Sequence, residues 1–332
     1  MASKVMPSTP RILYLANYAP LDGTDEVRGT TEGGKYSRYH QEMFDILKSF
    51  GFNLTPSRDV KALLDHSSSY DYVFSLLNRA PYRGSEIFVS ALCEYSRLPY
   101  LGARPHVRAV ADDKYIAKLV AKQLGFNVPA AQIYRNTDSE IAPPTFRGPY
   151  IAKPRSGASS KYITEGCIQD LWEDLVAEVH RLLELGDDVL VEEWIPGVNI
   201  TLPVIGGAPP LILPAYQLNS AKKGQLVTYE QKRGMEKGVK RIPFGNNVVN
   251  KEISRLAMNL YRELQPLDYM RLDFRLTDLN KPVFLEFNVC CNIGPQSGFY
   301  SCAKQLGFSH REMLIRILSH SFERQEIDWQ PL

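Results

Sequence analysis

The 332-residue sequence lacks a strong excess of either charge: 39 Lys and Arg stand against 37 Asp and Glu, a formal net charge of +2. A general nucleic-acid binder carries a basic face or tail; no such run occurs, and nucleic acid is not an expected partner. Long apolar runs are missing too. No segment approaches the roughly eighteen consecutive apolar residues of a membrane span. The start of the chain, with Pro7, Pro10 and one short apolar run at Ile12 to Ala16, resembles neither a span nor a signal peptide. Cysteine is sparse: Cys93, Cys167, Cys290, Cys291 and Cys302 have neither zinc-site nor disulfide-scaffold spacing, which predicts a reducing compartment, the cytoplasm. The six histidines show no His-Glu-x-x-His spacing, and no Gly-x4-Gly-Lys-Ser/Thr loop is present. Repeats, heptads and low-complexity stretches are absent as well. What remains is an ordinary globular composition, 44% hydrophobic and 23% charged, in a chain long enough for two or three subdomains.

The densest chemistry lies near the C-terminal end. Met270 to Leu276 and Val283 to Val289 read as two strands joined by a hairpin loop at Asp278 to Lys281. At period 2, Arg271, Asp273 and Arg275 share one face, and Glu286 and Asn288 share another. Pairing across the loop sets Asp273 opposite Glu286 and Arg271 opposite Asn288. Opposed carboxylates repel and need a counter-charge, and an oxygen-only set (Asp273, Glu286, Asn288) suits a hard cation such as Mg²⁺, which normally accompanies a nucleotide. The competing reading is an exposed hairpin whose charges are merely solvated.

Upstream, strands and helices alternate in the manner of an open α/β domain. A buried strand at Arg11 to Ala16 is followed by a Gly-rich loop containing Glu32, then by a helix from Tyr36 to Phe50 and a strand at Asp71 to Leu77. Ser85 to Tyr95 forms the next helix, and Leu98 to Gly102 is a breaker-rich junction. One helix is predicted from Val107 to Leu124, with Lys114 on a charged face where a lysine is more often solvated than functional. A strand carrying Lys153 leads into the small-residue loop Arg155 to Lys161, whose Ser159 and Ser160 could offer hydroxyls and backbone N–H groups to a phosphate. A second strand at Tyr162 to Thr164 is predicted to follow. Leu171, Trp172, Leu175, Val179, Leu182 and Leu183 mark an amphipathic helix. Val189 to Gly197 is a buried strand whose exit, with Glu192 and Glu193, can present donors and acceptors to a flat base. Further β-leaning runs at Asn199 to Ile205, Leu211 to Tyr216 and Val227 to Arg233 precede a helix at Lys251 to Leu264, and the last helix spans His310 to Glu323.

Five of these pieces, in this order, resemble the ATP-grasp superfamily and its D-alanine–D-alanine ligase branch. They are Leu98 to Gly102 with Asp113-Lys114, Ile151 to Ser160, Val189 to Gly197, Tyr229 to Lys232, and Arg271-Leu272-Asp273 with Glu286-Phe287-Asn288. Each is common alone; the ordered set is not. The resemblance covers nearly the whole chain and implies an ATP-grasp fold of class α/β (α+β): an N-terminal open α/β domain (1–103), then two α+β subdomains (104–187 and 188–332) that clasp ATP. It implies that Lys114, Lys153, Ser159, Ser160 and Lys232 hold phosphates, that Glu192, Glu193 and Ile195 contact adenine, and that Asp273, Glu286 and Asn288 hold Mg²⁺, in two ions. Arg271, Lys232 and Ser159 would be the catalytic set, and Glu32, Arg271, Asn292 and Ser297 the amino-acid contacts.

The activity so implied is ATP-dependent joining of a carboxylate to an amine of two amino-acid-type substrates through an acyl phosphate, releasing ADP and phosphate, in a homodimer. A kinase on the same fold and a silent nucleotide sensor are the alternatives. Departures from the branch pattern fall mostly on the amino-acid side: no Gly-Gly-x-Ser run precedes Glu32, and Val289-Cys290-Cys291-Asn292 replaces a small, Gly-containing turn. Asn199 stands where a ribose-contacting glutamate is expected.

Overall fold

The computed structural model describes residues 9–21, 33–78, 84–157, 162–219 and 240–329. The first unit alternates strand and helix: β1 (Arg11–Leu15), α1 (Gly33–Ser49), β2 (Asn53–Ser57), α2 (Lys61–Asp65), β3 (Tyr72–Ser75) and α3 (Ser85–Ser96). The three strands are parallel in the order β2-β1-β3. From Ile12 to Leu15 β1 is apolar because both its faces are covered, as central parallel strands require: Ile12 and Tyr14 pack with Met43 and Leu47 of α1, and Leu13 and Leu15 with Leu63, Val89 and Cys93. β2 carries no clear alternation, and its Pro56 is tolerated because the strand lies at the sheet edge.

The helix predicted from Val107 to Leu124 is two helices, α4 (Pro105–Asp112) and α5 (Lys114–Gln123). The break is Asp113, which leaves helical geometry and accepts hydrogen bonds from the Tyr115 and Ile116 N–H groups, both at 3.0 Å. Such an N-cap is worth about 1 kcal/mol. Arg155 braces it, 2.7 Å from Asp113 and 3.0 Å from Asp188. The two helices bury Val107, Ala117 and Ala121 against the C-terminal sheet.

A four-stranded antiparallel sheet follows, built from β4 (Ala131–Tyr134), β5 (Tyr150–Pro154), β6 (Ile168–Gln169) and, after helix α6 (Trp172–Glu184), β7 (Val189–Glu193), in the order β4-β7-β5-β6. The predicted division between residues 187 and 188 runs just ahead of β7, which sits between β4 and β5 in this sheet. The strand predicted at Tyr162 to Thr164 does not form. Tyr162 has a left-handed φ of 65°, a short 3-10 turn covers Glu165–Cys167, and β6 is the segment that pairs with β5. α6 lays Trp172, Leu175, Val179, Leu182 and Leu183 on the sheet, as its apolar spacing predicts.

The last sheet contains β8 (Val198–Ile205), β9 (Leu211–Ile212), β10 (Tyr216–Asn219), β11 (Lys240–Pro243), β12 (Tyr269–Leu276) and β13 (Pro282–Asn288), in the order β11-β10-β8-β12-β13 with β9 against β8. The run predicted at Leu211 to Tyr216 is thus split between two strands. Helix α7 (Asn247–Leu264) begins earlier than predicted because Asn246 caps it, and it buries Ile253, Leu256, Leu260 and Leu264 on β8 and β12. After the short helix α8 (Gly298–Gln305), α9 (His310–Glu323) returns to the N-terminal sheet. Its Met313, Leu314, Ile317 and Leu318 share one core with Ile12, Tyr14, Tyr72 and Phe74.

Candidate functional site

β12 and β13 pair in the predicted register, Arg271 with Asn288 and Asp273 with Glu286. Past Asp273 the register shifts, Phe274 pairs with Phe284, and Leu285 is left over as a β-bulge. The bulge explains why Phe284 and Phe287, three residues apart, are both buried in the core while Glu286 and Asn288 keep to the other face. A strict period of two would have put Phe284 beside Glu286. Asp273 accepts hydrogen bonds from Arg271 Nη2 at 2.7 Å, Thr201 Oγ1 at 2.8 Å and Asn288 Nδ2 at 3.3 Å. Burial opposes the charge on Arg271, but Asp273, with Cys291 and Tyr216, outweighs it and raises the guanidinium pKa.

Among the described residues no cluster of three His, Cys, Asp or Glu occurs that could hold a metal. The hairpin instead offers two opposed carboxylates and a carboxamide. Asn288 now turns its Nδ2 toward Asp273 and Glu286, at 3.3 and 3.5 Å; half a turn of the amide would present Oδ1 in its place. All-oxygen donors of this kind fit Mg²⁺.

Beside the hairpin lies a buried knot of lysines. Lys114 is not on a solvated face. It stands at the first turn of α5, 7% exposed, with Nζ donating to the Gly157 carbonyl at 2.5 Å. Burial lowers its pKa, and Glu286 nearby pulls the other way. Lys153 of β5 contacts Glu192 Oε2 at 2.5 Å, and Lys118 of α5 stands 2.7 Å from Oε1. Glu192 is 1% exposed; burial would raise its pKa, but Lys118 and Lys153 together hold it below the usual carboxylate range. Lys118 was not singled out from the sequence. The available signal was its spacing of four from Lys114, which places both on one helix face.

At the exit of β7, Glu192 and Glu193 point to opposite faces, and Glu193 is exposed. Glu193 N donates to the Ala130 carbonyl and Trp194 N to the Pro149 carbonyl. The Ile195 carbonyl accepts from Arg275 Nε at 2.9 Å, and Arg275 Nη1 donates to Asn199 Oδ1 at 2.9 Å while its guanidinium lies 4.3 Å from the Trp194 ring centre. Arg275 is buried, and burial pushes its pKa down to about 10.

Past the hairpin, Asn292 is exposed and its Oδ1 accepts from Gly294 N at 2.8 Å. Ser297 is buried and caps α8, its Oγ accepting from Tyr300 N at 3.0 Å. Tyr39 of α1 closes this corner so tightly that a Cβ on Gly294 would come within 2.5 Å of its ring. Cys290 accepts from Arg108 Nη1 at 3.0 Å, and burial pushes the Cys291 thiol up to about 12. Glu32, Ser159, Ser160 and Lys232, with the whole Tyr229 to Lys232 stretch, lie outside the described residues.

The family model described as "D-ala D-ala ligase C-terminus" matches residues 122–319. The D-alanine–D-alanine ligase of Maridesulfovibrio salexigens is 26% identical over 265 residues, 79% of this chain and 84% of that protein. The D-alanine–D-alanine ligase of Bacillus anthracis, solved in complex with ATP, superposes with a TM-score of 0.75 at 17% identity, covering 96% of this chain and 99% of that one. The VanG D-Ala:D-Ser ligase of Enterococcus faecalis superposes with a TM-score of 0.73 at 17% identity, covering 95% and 100%. The fold is therefore that of the ATP-grasp ligases, and with the family model spanning more than half of it the chain belongs to the D-alanine–D-alanine ligase family.

Proposed function

We propose that the protein is an ATP-dependent carboxylate–amine ligase that joins two amino-acid-type substrates and releases ADP and phosphate. The observation that carries this reading is the convergence on one site of the opposed Asp273 and Glu286 with the buried lysines Lys114, Lys118 and Lys153. Three buried lysines and Arg271 are concentrated there beside Asp273, Glu286 and Glu192, an arrangement of cations that suits an anionic ligand.

In this reading Lys114 and Lys153 hold the nucleotide phosphates, together with Ser159, Ser160 and Lys232. Glu192 and the backbone of Glu193 and Ile195 take the base. Asp273, Glu286 and Asn288 would hold Mg²⁺, which when bound offsets charge on the phosphoryl group in transfer. One substrate's carboxylate attacks the γ-phosphate, and the acyl phosphate so formed is captured by the amine of the other. Activation is needed because a free carboxylate does not condense with an amine at neutral pH. Arg271, kept charged by Asp273, stabilises charge at the acyl centre. Glu32, Asn292 and Ser297 are the proposed amino-acid contacts. Asn292 Oδ1 and Ser297 Oγ already accept backbone hydrogen bonds, so the Ser297 O–H and the Asn292 Nδ2 are the donors left to offer a carboxylate. D-Alanine heads the list of substrates to try, since it is the substrate named for the curated relatives. A homodimer in the cytoplasm is the proposed setting; among the described residues no helix is long and apolar enough to cross a membrane.

Product analysis tests the reading. Phosphate released from ATP only when both an acid and an amine substrate are present, with an amide product by mass, is the expected result. A stable phosphorylated product from a single substrate would make the protein a kinase instead.

A further inference from the structure

The bulge at Leu285 frees a carbonyl that a regular ladder would have used, because Leu285 has no partner on β12. That carbonyl is not left bare: Lys118 Nζ donates to it at 2.6 Å. The same ammonium group stands 2.7 Å from Glu192 Oε1. Lys118 is 3% exposed, on a helix that packs directly against β13. One buried side chain thus touches both walls of the site: the strand that carries Glu192, and the bulge immediately before Glu286.

We infer that Lys118 is a positioning residue that fixes the distance between the nucleotide-holding strand β7 and the metal-binding hairpin by clamping Glu192 to the Leu285 carbonyl. The inference rests on the roles proposed above for Glu192 and Glu286. Its physical basis is that an ammonium has three donors in tetrahedral directions and can serve two acceptors on different elements at once. A bulge is locally adjustable, since its extra residue is outside the ladder, so its carbonyl needs a fixed partner if the next side chain is to point one way. Glu192 needs a fixed partner for a different reason: its carboxylate is buried, and a buried charge is costly unless it is paired. Burial pushes Lys118 down to about 8, so it remains charged at neutral pH and can fill both roles. Lys153 cannot substitute, because it lies on β5, the neighbour of β7 in the same sheet, and its ammonium on Oε2 ties Glu192 only to that sheet and not to the hairpin.

The test is the kinetics of Lys118→Met, made in the full chain, against the natural protein. Activation by Mg²⁺ and KM for ATP should both worsen by about 10–100-fold, the range for residues that orient metal ligands, while KM for the amino acids stays within about twofold. Lys118→Arg keeps a charge and N–H donors and should recover part of both losses. If Lys118→Met fails to fold, Lys118→Gln, which is neutral and of similar shape, is read in its place. A variant with lower Tm but unchanged constants for ATP and Mg²⁺ overturns the inference, and so does a shift in one constant without the other. Absence of amino-acid-dependent phosphate release in the natural protein would instead overturn the ligase reading, and it is seen before any variant is made.

Discussion

Among the described residues two buried carboxylates have basic partners, Asp268 and Glu192, and they are solved in opposite ways. Asp268, 0% exposed, has one guanidinium, Arg324, whose Nε and Nη2 approach at 2.6 and 3.0 Å, and it also accepts from Gly102 N at 2.6 Å and Ser321 Oγ at 2.7 Å. Charge is balanced one to one and both oxygens are used. Arg324 also donates to the Tyr100 and Gly102 carbonyls, and Ser321 meets Tyr72 Oη at 2.6 Å, so the cluster sews the C-terminal helix to the N-terminal sheet. Glu192 has two lysines in contact, one at each oxygen, and a third nearby. An ion cluster closed one to one belongs to the fold; a concentration of buried lysines beside the carboxylates of the hairpin is the kind of perturbed charge cluster that marks a functional site.

Asp268→Ala should show the largest effect on the fold. Removing one partner of a buried pair leaves Arg324 uncompensated and costs about 3–5 kcal/mol, read by chemical denaturation. Turnover per folded molecule should stay near that of the natural protein, and a large loss of it would blur the division between the two centres.

Ligand should separate the centres next. ATP with Mg²⁺ at a hundred times its dissociation constant should stabilise the natural protein by about 2.7 kcal/mol. At that same concentration the gain should shrink in Glu192→Gln and persist in Ser321→Ala, which trims the Asp268 centre more gently. Equal gains in both variants would place the nucleotide elsewhere.

Alkaline pH gives a smaller contrast. Arg324, whose pKa Asp268 holds above the ordinary arginine value, does not deprotonate in this range, whereas Lys118, pushed to about 8 by burial, does. The unfolded lysine holds its proton up to about 10.4, so between these values the unfolded chain binds more protons and the burial penalty, full below 8, is relieved as pH rises. The natural protein should therefore gain stability relative to Lys118→Arg between pH 8 and 10, by at most about 3 kcal/mol. A pH-independent difference would mean that the ammonium is not desolvated as its burial indicates.

Much of this was legible from residue order. The register of Asp273 against Glu286 followed from strand period and loop length, and the helices α6 and α9 followed from apolar spacing, because both signals are local. The break at Asp113 was not: the residue reads as one more charge on a helix, and its capping role depends on Arg155 and Asp188 arriving from another sheet. β2, β4 and α8 escaped because they are short and weakly patterned, and Tyr162 to Thr164 misled because β propensity was mistaken for a ladder partner. The bulge left one trace, the three-residue spacing of Phe284 and Phe287, at odds with period two. Lys118 matters through Leu285 and Glu192, 167 residues and 74 residues away, and no local pattern records such contacts.

The central claim is that the hairpin patch is a working metal and phosphate site, and Glu286→Gln probes it most directly. The substitution keeps size and shape and removes one charge, with folding checked by circular dichroism and Cys291→Ser, a neighbouring buried thiol, as the control. Phosphate release in the presence of both substrates and saturating Mg²⁺ should fall by roughly 10² or more, as when one preorganised electrostatic group is removed, and the control should fall far less. A folded Glu286→Gln protein with the turnover of the natural one would contradict the metal assignment and the site built on it.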